Sequence, residues 1–223
     1  MEPRHEIKLA INEEDRVILR QGLSAVMTRD ANAGAGGRYK VRSLYFDNFD
    51  DKALREKLEG VDGREKFRLR CYNDDPSLIL LEKKSKTRGL CKKYQSRLTE
   101  EEVRRLLNGD TAFLLAGDAL QRELYAKLKT EQLRPRAIVD YMREPFVCTA
   151  GNVRVTIDSD IRTGLYSRSF FDAALPTVQA GDTKHLLEVK FDAFLPDVIL
   201  NVLQIGSRRA AAFSKYAASR MFG

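Results

Sequence analysis

The chain has 223 residues, of which 43% are hydrophobic and 32% are charged, so it can bury the core of one large domain or of two small ones. Its formal net charge of +7 points to an anionic partner: a nucleic acid, a phosphate compound or an acidic membrane surface. Three cysteines without a CxxC spacing argue against a disulfide framework or a zinc site and favour a reducing cytoplasm. An apolar run of about eighteen residues is absent, which excludes a membrane-spanning helix.

Periodicity in the sequence predicts eight strands and six helices. In chain order, the strands are predicted at residues 4–11, at 38–48, twice within 66–86, and at 89–98, 136–147, 152–158 and 185–191. The helices are predicted at residues 12–27, 50–60, 99–109, 113–128, 196–205 and 211–222. The segment 158–182 is predicted to be a loop with a short strand at its start.

Helix boundaries carry recognisable signals. Asn12 is a predicted N-cap, and Thr99 with Glu102 forms a predicted capping box. Gly60 and Gly109 end the second and third helices, as glycine commonly does. Because helices are inserted between strands without a βαβαβ rhythm, we expect an α+β fold with a mostly antiparallel sheet. Eight strands are about what a closed barrel with a narrow lumen needs.

Three strands carry the same Glu-x-Lys pattern. The patterns are Glu6-Ile7-Lys8, Glu82-Lys83-Lys84 and Glu188-Val189-Lys190. Because alternate residues of a strand share a face, the Glu and Lys of each pattern point to one side, and apolar neighbours mostly point to the other. Other strands add basic residues to the charged face: Lys66, Arg68, Arg70, Lys93, Arg143 and Arg154.

The apolar face must be buried, so we expect helices to cover it, and the charged face becomes a lumen if the sheet closes. Cations crowded into a partly dry space repel one another strongly, and a polyanion would relieve that repulsion. Phosphate chains fit best, because arginine offers paired hydrogen bonds to phosphate oxygens. Glu188 and its neighbours could then supply oxygen ligands to Mg²⁺ or Mn²⁺.

A simpler interpretation is a ladder of cross-strand ion pairs on the solvated face of an open sheet. Arg68 and Arg70 argue against it most clearly, because no acid on their own strand neutralises them. Asp158 lies at a predicted strand end, where turn chemistry explains an aspartate. Tyr45 and Asp47 are candidates for the charged face, and Asp47 is equally a candidate cap for the next helix.

Eight segments resemble, in order, the motifs of the VTC domain. They are RHEIKL, VRSLYFDN, REKFRLRCYN, LLEKKSKTRGLCKKYQSRLT, VDYMREPF, VRVTIDSDI, LLEVKF and FSKY, and they extend from residue 4 to residue 216. The VTC domain is the polyphosphate polymerase domain of the vacuolar transporter chaperone complex. It belongs to the triphosphate tunnel metalloenzymes and is related to the CYTH phosphatases. The resemblance implies one domain over residues 1–223, built as an eight-stranded antiparallel β-tunnel with helices outside.

The resemblance and the strand pattern together assign roles by position. The catalytic cations would be Lys8, Arg68, Arg70, Lys84, Arg143 and Arg154. The substrate-binding residues would be Lys93, Tyr141, Lys190 and Lys215, with Lys92 as the alternative to Lys93. The last of them, Lys215, is expected on a helix at a tunnel mouth. Glu188 would bind Mn²⁺ or Mg²⁺ with help from Glu6 or Glu82.

The implied reaction transfers the γ-phosphate of ATP onto a growing polyphosphate chain, starting from pyrophosphate or phosphate. Two alternatives stay open: a tunnel-fold triphosphatase and a non-catalytic module that binds polyanions. A binding module has little use for an acid such as Glu188 among cations. We expect no nucleic-acid partner, because the predicted tunnel face lacks interleaved aromatic platforms. The protein is expected to be cytoplasmic, and a membrane-protein partner would have to come from another chain.

Overall fold

The computed structural model describes residues 5–88, 90–204 and 213–220. These residues contain the strands β1 His5–Ile11, β2 Thr28–Arg29, β3 Tyr39–Asp47, β4 Arg64–Tyr72, β5 Asp75–Thr87, β6 Leu90–Leu98, β7 Arg134–Cys148, β8 Val153–Thr163, β9 Val178–Gln179 and β10 His185–Phe191. They also contain the helices α1 Glu13–Val26, α2 Lys52–Leu58, α3 Glu100–Leu107, α4 Ala119–Thr130, α5 Asp197–Leu203 and α6 Lys215–Ser219.

The eight longer strands form one sheet in the order β1–β10–β8–β7–β3–β4–β5–β6. The short strand β2 pairs with β7, β9 pairs with β8, and every pairing is antiparallel. The sheet curls into a half-barrel, and β1 and β6 are its two end strands within the described ranges. The predicted α+β fold, with an antiparallel eight-stranded sheet around a lumen, is therefore confirmed.

The helix N-termini follow their sequence signals. The Asn12 side chain accepts from the Asp15 backbone N–H at 2.8 Å, and the Asp15 carboxylate accepts from the Asn12 N–H at 3.1 Å. Thr99 and Glu102 make the same reciprocal pair at the start of α3, with distances of 3.2 and 2.8 Å. Each capping box satisfies backbone donors that have no partner inside the helix.

The predicted helix at 113–128 and the predicted strand at 152–158 have different boundaries in the structure. The helix predicted at 113–128 is divided, because Asp118 caps a new helix, α4, by accepting from the Gln121 N–H at 3.0 Å. A 3₁₀ turn over Ala112–Ala116 precedes α4. The strand β8 continues to Thr163, five residues beyond the expected end. Parts of the two last predicted helices, residues 205, 211–212 and 221–222, lie outside the described residues.

Helices cover the outer, apolar face of the sheet in two places. The helices α1 and α5 pack on β8 and β10, where Leu19, Ile199 and Leu187 are fully buried. The helices α3 and α4 pack beside β4 and β5, where Val103 and Leu69 are fully buried. Because side chains alternate along a strand, burial of the apolar side turns the charged side into the curl.

Arg42 fastens the loop that follows β8 to the sheet. Its buried guanidinium binds both carboxylate oxygens of Asp140 at 2.7–3.2 Å and donates to the carbonyl of Phe170 at 3.2 Å. The same nitrogen, Arg42 Nη1, also donates to the carbonyl of Asp172. Strands β3 and β7 are thereby tied to residues 170–172.

We expect Asp140→Ala to lower the free energy of unfolding by about 3–5 kcal/mol, because Arg42 would keep a buried charge without its main partner. The matched control Glu100→Ala breaks an exposed ion pair with Arg104 on α3 and should cost less than about 1 kcal/mol. Urea unfolding of both variants measures the difference. Equal losses in the two variants would contradict the role given to Arg42.

Candidate active site in a basic tunnel

The inner face of the curled sheet encloses a cavity, the lumen, of about 490 Å³. All thirteen predicted site residues line it: Glu6, Lys8, Arg68, Arg70, Glu82, Lys84, Lys93, Tyr141, Arg143, Arg154, Glu188, Lys190 and Lys215. Within the described part of the chain, eleven lysines and arginines and three glutamates contribute to the lining. These residues line one concave space inside the half-barrel, which differs from the flat, solvated ladder of the simpler interpretation. Their individual roles stay predictions.

Glu82 is the counter-ion of the lumen wall made by β4, β5 and β6. Its Oε2 lies 2.6 Å from Arg68 Nε and 3.7 Å from Arg70 Nη1. Its Oε1 accepts from Lys93 Nζ at 2.6 Å and from Gln95 Nε2 at 2.8 Å. Burial would raise the pKa of Glu82, but the three cations, Arg68 foremost, hold that pKa well below its usual range. The acid that neutralises the β4 arginines therefore comes from the neighbouring strand.

The register between β5 and β6 distinguishes Lys93 from Lys92. Lys93 pairs with Lys84, so both side chains point into the lumen, whereas Lys92 pairs with Ser85 at the alternate position. Both Lys92 and Lys93 contribute to the lining, but it is Lys93 that bonds to Glu82. Burial lowers the pKa of Lys93 to about 8, although the attraction of Glu82 opposes this change.

Asp158 forms ion pairs with two of the predicted cations, Arg143 and Lys215, on the lumen wall opposite Glu82. It is fully buried, and its carboxylate accepts from Arg143 Nε and Nη2 at 2.6 and 2.7 Å and lies 2.6 Å from Lys215 Nζ. Burial would raise the pKa of Asp158, but Arg143 and Lys215 outweigh burial and lower it. Placing Asp158 at a strand end was wrong, because β8 continues to Thr163. Lys215 begins α6 and lies 4.6 Å from the centroid of the Tyr141 ring.

Glu188 and Glu6 bring two carboxyl groups together across β10 and β1. In the β1–β10 register Glu6 is opposite Lys190 and Glu188 is opposite Lys8, so the two glutamates are diagonal neighbours on the lumen face. Lys190 Nζ lies 2.7 Å from Glu188 Oε1 and 3.5 Å from Glu6 Oε1. Burial would raise the pKa of Glu188, but the positive charges of Lys190 and Lys8 outweigh burial and hold that pKa well below its ordinary value. Carboxylates this close repel unless a proton or a cation lies between them.

The Glu6–Glu188 pair fits a divalent metal. Mg²⁺ is usually held by one or two carboxylates, with substrate phosphates and water completing its shell. Among the residues that the structure describes, no three His, Cys, Asp or Glu side chains converge as a metal site, so phosphates and water would have to complete this one. Glu82 fits less well as a further ligand, because Arg68, Lys93 and Gln95 bind its two oxygens at 2.6–2.8 Å. The lysines around Glu6 lie farther from its oxygens, at 3.1–3.5 Å.

Glu6 also links the end strand β1 to β5, the neighbour of the other end strand, β6. Lys84 Nζ of β5 lies 3.1 Å from Glu6 Oε2 of β1, so an ion pair spans the seam of the half-barrel. Lys8 Nζ lies 3.5 Å from Glu6 Oε1. The lumen is therefore enclosed at the seam by charged side chains.

Tyr45 and Lys66 are titratable groups on the same wall as Arg68. Lys66 Nζ lies 5.5 Å from the Tyr45 ring centroid, and Arg68 Nη1 donates to the Tyr45 hydroxyl at 3.0 Å. Burial lowers the pKa of Lys66 to about 8. Burial alone would raise the pKa of Tyr45, but Arg68, Lys66 and Arg70 lower it to about 7. Both groups therefore change charge near neutral pH.

Some residues near the lumen were missed or left open by sequence reasoning. Tyr39 and Tyr72 line the lumen, so aromatic rings are present where the sequence predicted none beyond Tyr45 and Tyr141. Strand parity could have found Tyr72, two residues beyond Arg70, and Tyr39 pairs with Arg143 across β3 and β7. Asp47 accepts from the Ala53 and Leu54 N–H groups at 2.9 and 3.1 Å, so it serves the first turn of α2.

Comparison with known proteins decides the family. The model of the VTC domain matches residues 3–222. The chain belongs to the VTC domain family. No curated protein matches the chain. The VTC match and the basic lumen support a triphosphate-binding function of the tunnel type, and they favour a phosphate-transfer enzyme or a triphosphatase.

Solved structures at low sequence identity share the fold of this VTC protein. A candidate adenylate cyclase from Bacillus halodurans has a TM-score of 0.54 at 13% identity, and the match covers 91% of this chain and 87% of that one. The PH1012 protein of Pyrococcus horikoshii has a TM-score of 0.53 at 11% identity, over 95% of this chain and 96% of that one. The PH1819 protein of the same organism has a TM-score of 0.50 at 12% identity, over 96% of both chains. At such identities the likeness shows the fold alone.

In the residues that the structure describes, every helix is too short or too polar to cross a membrane.

We expect Lys66→Met to weaken binding of inorganic triphosphate by on the order of tenfold at about pH 6, because a charged donor to phosphate is lost. The lysine loses its charge in the free protein as the pH rises through about 8. A tenfold stronger binding of the charged form raises that pKa by about one unit in the complex, so the two proteins should bind equally only above about pH 10. Calorimetric titration at several pH values, in the absence of metal, measures the ratio of the two affinities. Because the ligand is the same, its own titration cancels from the ratio.

The control variant Lys129→Met removes a lysine from the outer helix α4 and should keep the affinity ratio near one throughout. A ratio for Lys66→Met that stays constant across the pH range would contradict the lowered pKa of Lys66.

Proposed function

We propose that this VTC protein is a polyphosphate polymerase that transfers the γ-phosphate of ATP onto a growing polyphosphate chain and depends on Mn²⁺ or Mg²⁺. One observation carries the proposal: a lumen inside the half-barrel whose described lining has eleven lysines and arginines around the neighbouring carboxyl groups of Glu6 and Glu188. Such a surface complements a chain of phosphates, and the acid pair is suited to a divalent cation.

The basic side chains bind and orient phosphate groups. Arg68 and Arg70 face the lumen from β4, and Arg143 faces it from β7. The buried carboxylates of Glu82 and Asp158 form ion pairs with these arginines, so the positive charges are positioned before the substrate binds. Preorganised positive charge stabilises the negative charge that develops on phosphate oxygens in the transition state.

The transfer step needs no covalent intermediate on the protein. A terminal phosphate oxygen of the acceptor, either pyrophosphate or polyphosphate, attacks the γ-phosphorus, and the bond to the β–γ bridging oxygen breaks. ADP leaves with that oxygen, and the acceptor becomes one phosphate longer. Metal held by Glu188 and Glu6 would add positive charge beside the transferred group. Positioning and electrostatics supply the rest of the catalysis.

The proposal includes a cytoplasmic location, in keeping with three free cysteines, and allows a membrane-protein partner supplied by another chain. The proposed ligands are ATP, polyphosphate and pyrophosphate or phosphate, with no nucleic acid.

Product analysis tests the reaction. The purified protein is incubated with ATP, Mn²⁺ or Mg²⁺ and a trace of pyrophosphate, and the products are separated on a gel stained for polyphosphate. Long chains with a matching amount of ADP are expected. Free phosphate without chains would mean that water attacks, as in a triphosphatase. Tight polyphosphate binding without turnover would leave a polyanion-binding module.

We expect Glu188→Gln to lower kcat by on the order of 10²–10³, because the amide keeps the shape of the side chain but removes a charge that a metal needs. Binding of triphosphate without metal should not weaken, since the change removes a negative charge from the lumen. The matched control Glu123→Gln alters a carboxylate that pairs with Lys83 and belongs to the outer helix α4, and it should keep full activity. Undiminished turnover in Glu188→Gln would refute the metal role.

A further inference from the structure

A second basic concavity, which we call the outer basin, lies outside the lumen. It is formed by α1, β2, β7 and the residues that precede β3, and its volume is about 630 Å³. The outer basin and the lumen share no lining residue in the described part of the chain, so they are separate spaces. The described lining of the outer basin consists of Arg20, Gln21, Ser24, Arg29, Gly36, Arg38 and Glu144.

Alternation of side chains places the outer basin on the other side of the lumen wall. On β7, Arg143 lines the lumen, whereas the next residue, Glu144, lines the outer basin. At the start of β3, Tyr39 lines the lumen, whereas Arg38 just before it lines the outer basin. Because consecutive residues of a strand point to opposite faces, one wall of the half-barrel presents basic side chains both inward and outward.

Arg29 is held in one orientation within the outer basin. Its guanidinium carbon lies 3.9 Å from the centroid of the Phe146 ring. Its Nη2 donates to the Ser24 hydroxyl at 3.2 Å, and its Nη1 donates to the Gly37 carbonyl at 3.3 Å. The Arg29 side chain is nevertheless 33% exposed, so an oriented cation stays within reach of a ligand.

Positive charge in the outer basin exceeds the negative charge available to it. Glu144 is the one acid of the described lining, and it already lies 3.0 Å from Arg16 Nη1 and 3.8 Å from Arg29 Nη1. In the part of the chain that the structure describes, the side chains of Arg20 and Arg38 form no ion pair or hydrogen bond. Burial lowers the pKa of Arg29, and repulsion from Arg20 lowers it further, although Glu144 opposes this change. An anion between the arginines would relieve the repulsion.

Phosphate groups are the ligands that this arrangement suits. Arginine binds phosphate oxygens through paired hydrogen bonds, and three arginines around one space suit several adjacent phosphates. A Cβ added at Gly36 would meet no atom within 4 Å, so there is room for a ligand beside this backbone. The described lining has no apolar side chain to enter a membrane and no aromatic ring to stack on a base. An oligophosphate therefore fits the outer basin better than a lipid surface or a nucleic acid.

We propose that the outer basin is a second phosphate site, which binds a short run of linked phosphates such as inorganic triphosphate or one segment of a polyphosphate chain. Arg29 supplies a donor that is already oriented, and Arg20 and Arg38 supply charge that is not yet paired. Binding at this site does not depend on the proposed polymerase reaction, because none of the described lumen residues takes part.

Calorimetric titration with inorganic triphosphate at about pH 6, without metal, tests the site. We expect Arg20→Gln/Arg38→Gln to weaken binding at the outer basin by on the order of 10², because each arginine contributes about tenfold. Binding in the lumen should change by less than about twofold. Lys66→Met should do the reverse, with about tenfold weaker binding in the lumen and unchanged binding at the outer basin.

NMR spectra assign each binding event to its site. Backbone amide signals of Gly36 and Gly37 should shift when triphosphate fills the outer basin, and those of Arg70 and Glu188 should shift when it fills the lumen. In Arg20→Gln/Arg38→Gln, the glycine signals should stay in place at concentrations that still shift the lumen signals.

The matched control Arg104→Gln/Arg105→Gln removes two positive charges from α3, outside both spaces. It should weaken neither binding event by more than about twofold. Equal losses in this control and in Arg20→Gln/Arg38→Gln would mean that a basic protein attracts triphosphate in general, and the outer basin would not be a site.

Three further results would overturn the inference. The first is unshifted Gly36 and Gly37 signals at saturating triphosphate, and the second is an Arg20→Gln/Arg38→Gln variant that keeps both binding events. The third is binding to vesicles that contain phosphatidic acid, dependent on Arg20 and Arg38, without triphosphate binding at the outer basin. A protein that fills the outer basin as expected but makes no chains would instead overturn the proposed polymerase reaction and leave the second phosphate site standing.

Discussion

Repulsion between cations that face one another in a partly dry lumen is the constraint on which the rest of the structure depends. A few buried acids limit that repulsion, and Glu82 and Asp158 each hold two or more cations. Desolvation offsets much of the attraction in such buried pairs, so they add little net stability. Their consequence is positional: the guanidinium and ammonium groups are held in place, and an excess of positive charge is left for an anionic ligand.

The outer helices make this charged interior possible. A sheet with one apolar face must bury that face, and α1, α5, α3 and α4 cover it from outside. The charged face is then the only one left to line the curl. Charged side chains also face each other at the seam: within the described ranges the sheet order does not pair the end strands β1 and β6, and the Glu6–Lys84 ion pair links β1 to β5, the neighbour of β6. The packed outer face and the charged inner face of the sheet both follow from the alternation of side chains along each strand.

Glu82 and Glu188 have the same local sequence pattern but different surroundings in the structure. Both begin a Glu-x-Lys tripeptide on a lumen-facing strand, and from sequence they were both candidates for a metal. Their neighbours on adjacent strands differ. Both oxygens of Glu82 bind cations or the Gln95 amide, whereas Glu188 lies beside a second carboxyl group, that of Glu6. The environment of an acid, and therefore its chemistry, depends on residues from strands distant in the sequence.

The sequence by itself determined which side of each strand is charged, because alternation along a strand requires no knowledge of its partners. That was enough to predict an antiparallel α+β fold and to place the charged strand residues on one inner surface, whereas Tyr141 and Lys215 were assigned through the resemblance to the VTC domain. Only the tertiary structure decided that Asp158 holds Arg143, that Lys93 rather than Lys92 bonds to Glu82, and that Tyr39 lines the lumen beside Tyr72. Those outcomes depend on strand register and on the curl of the sheet, which are set by pairings between distant segments and are absent from any local pattern.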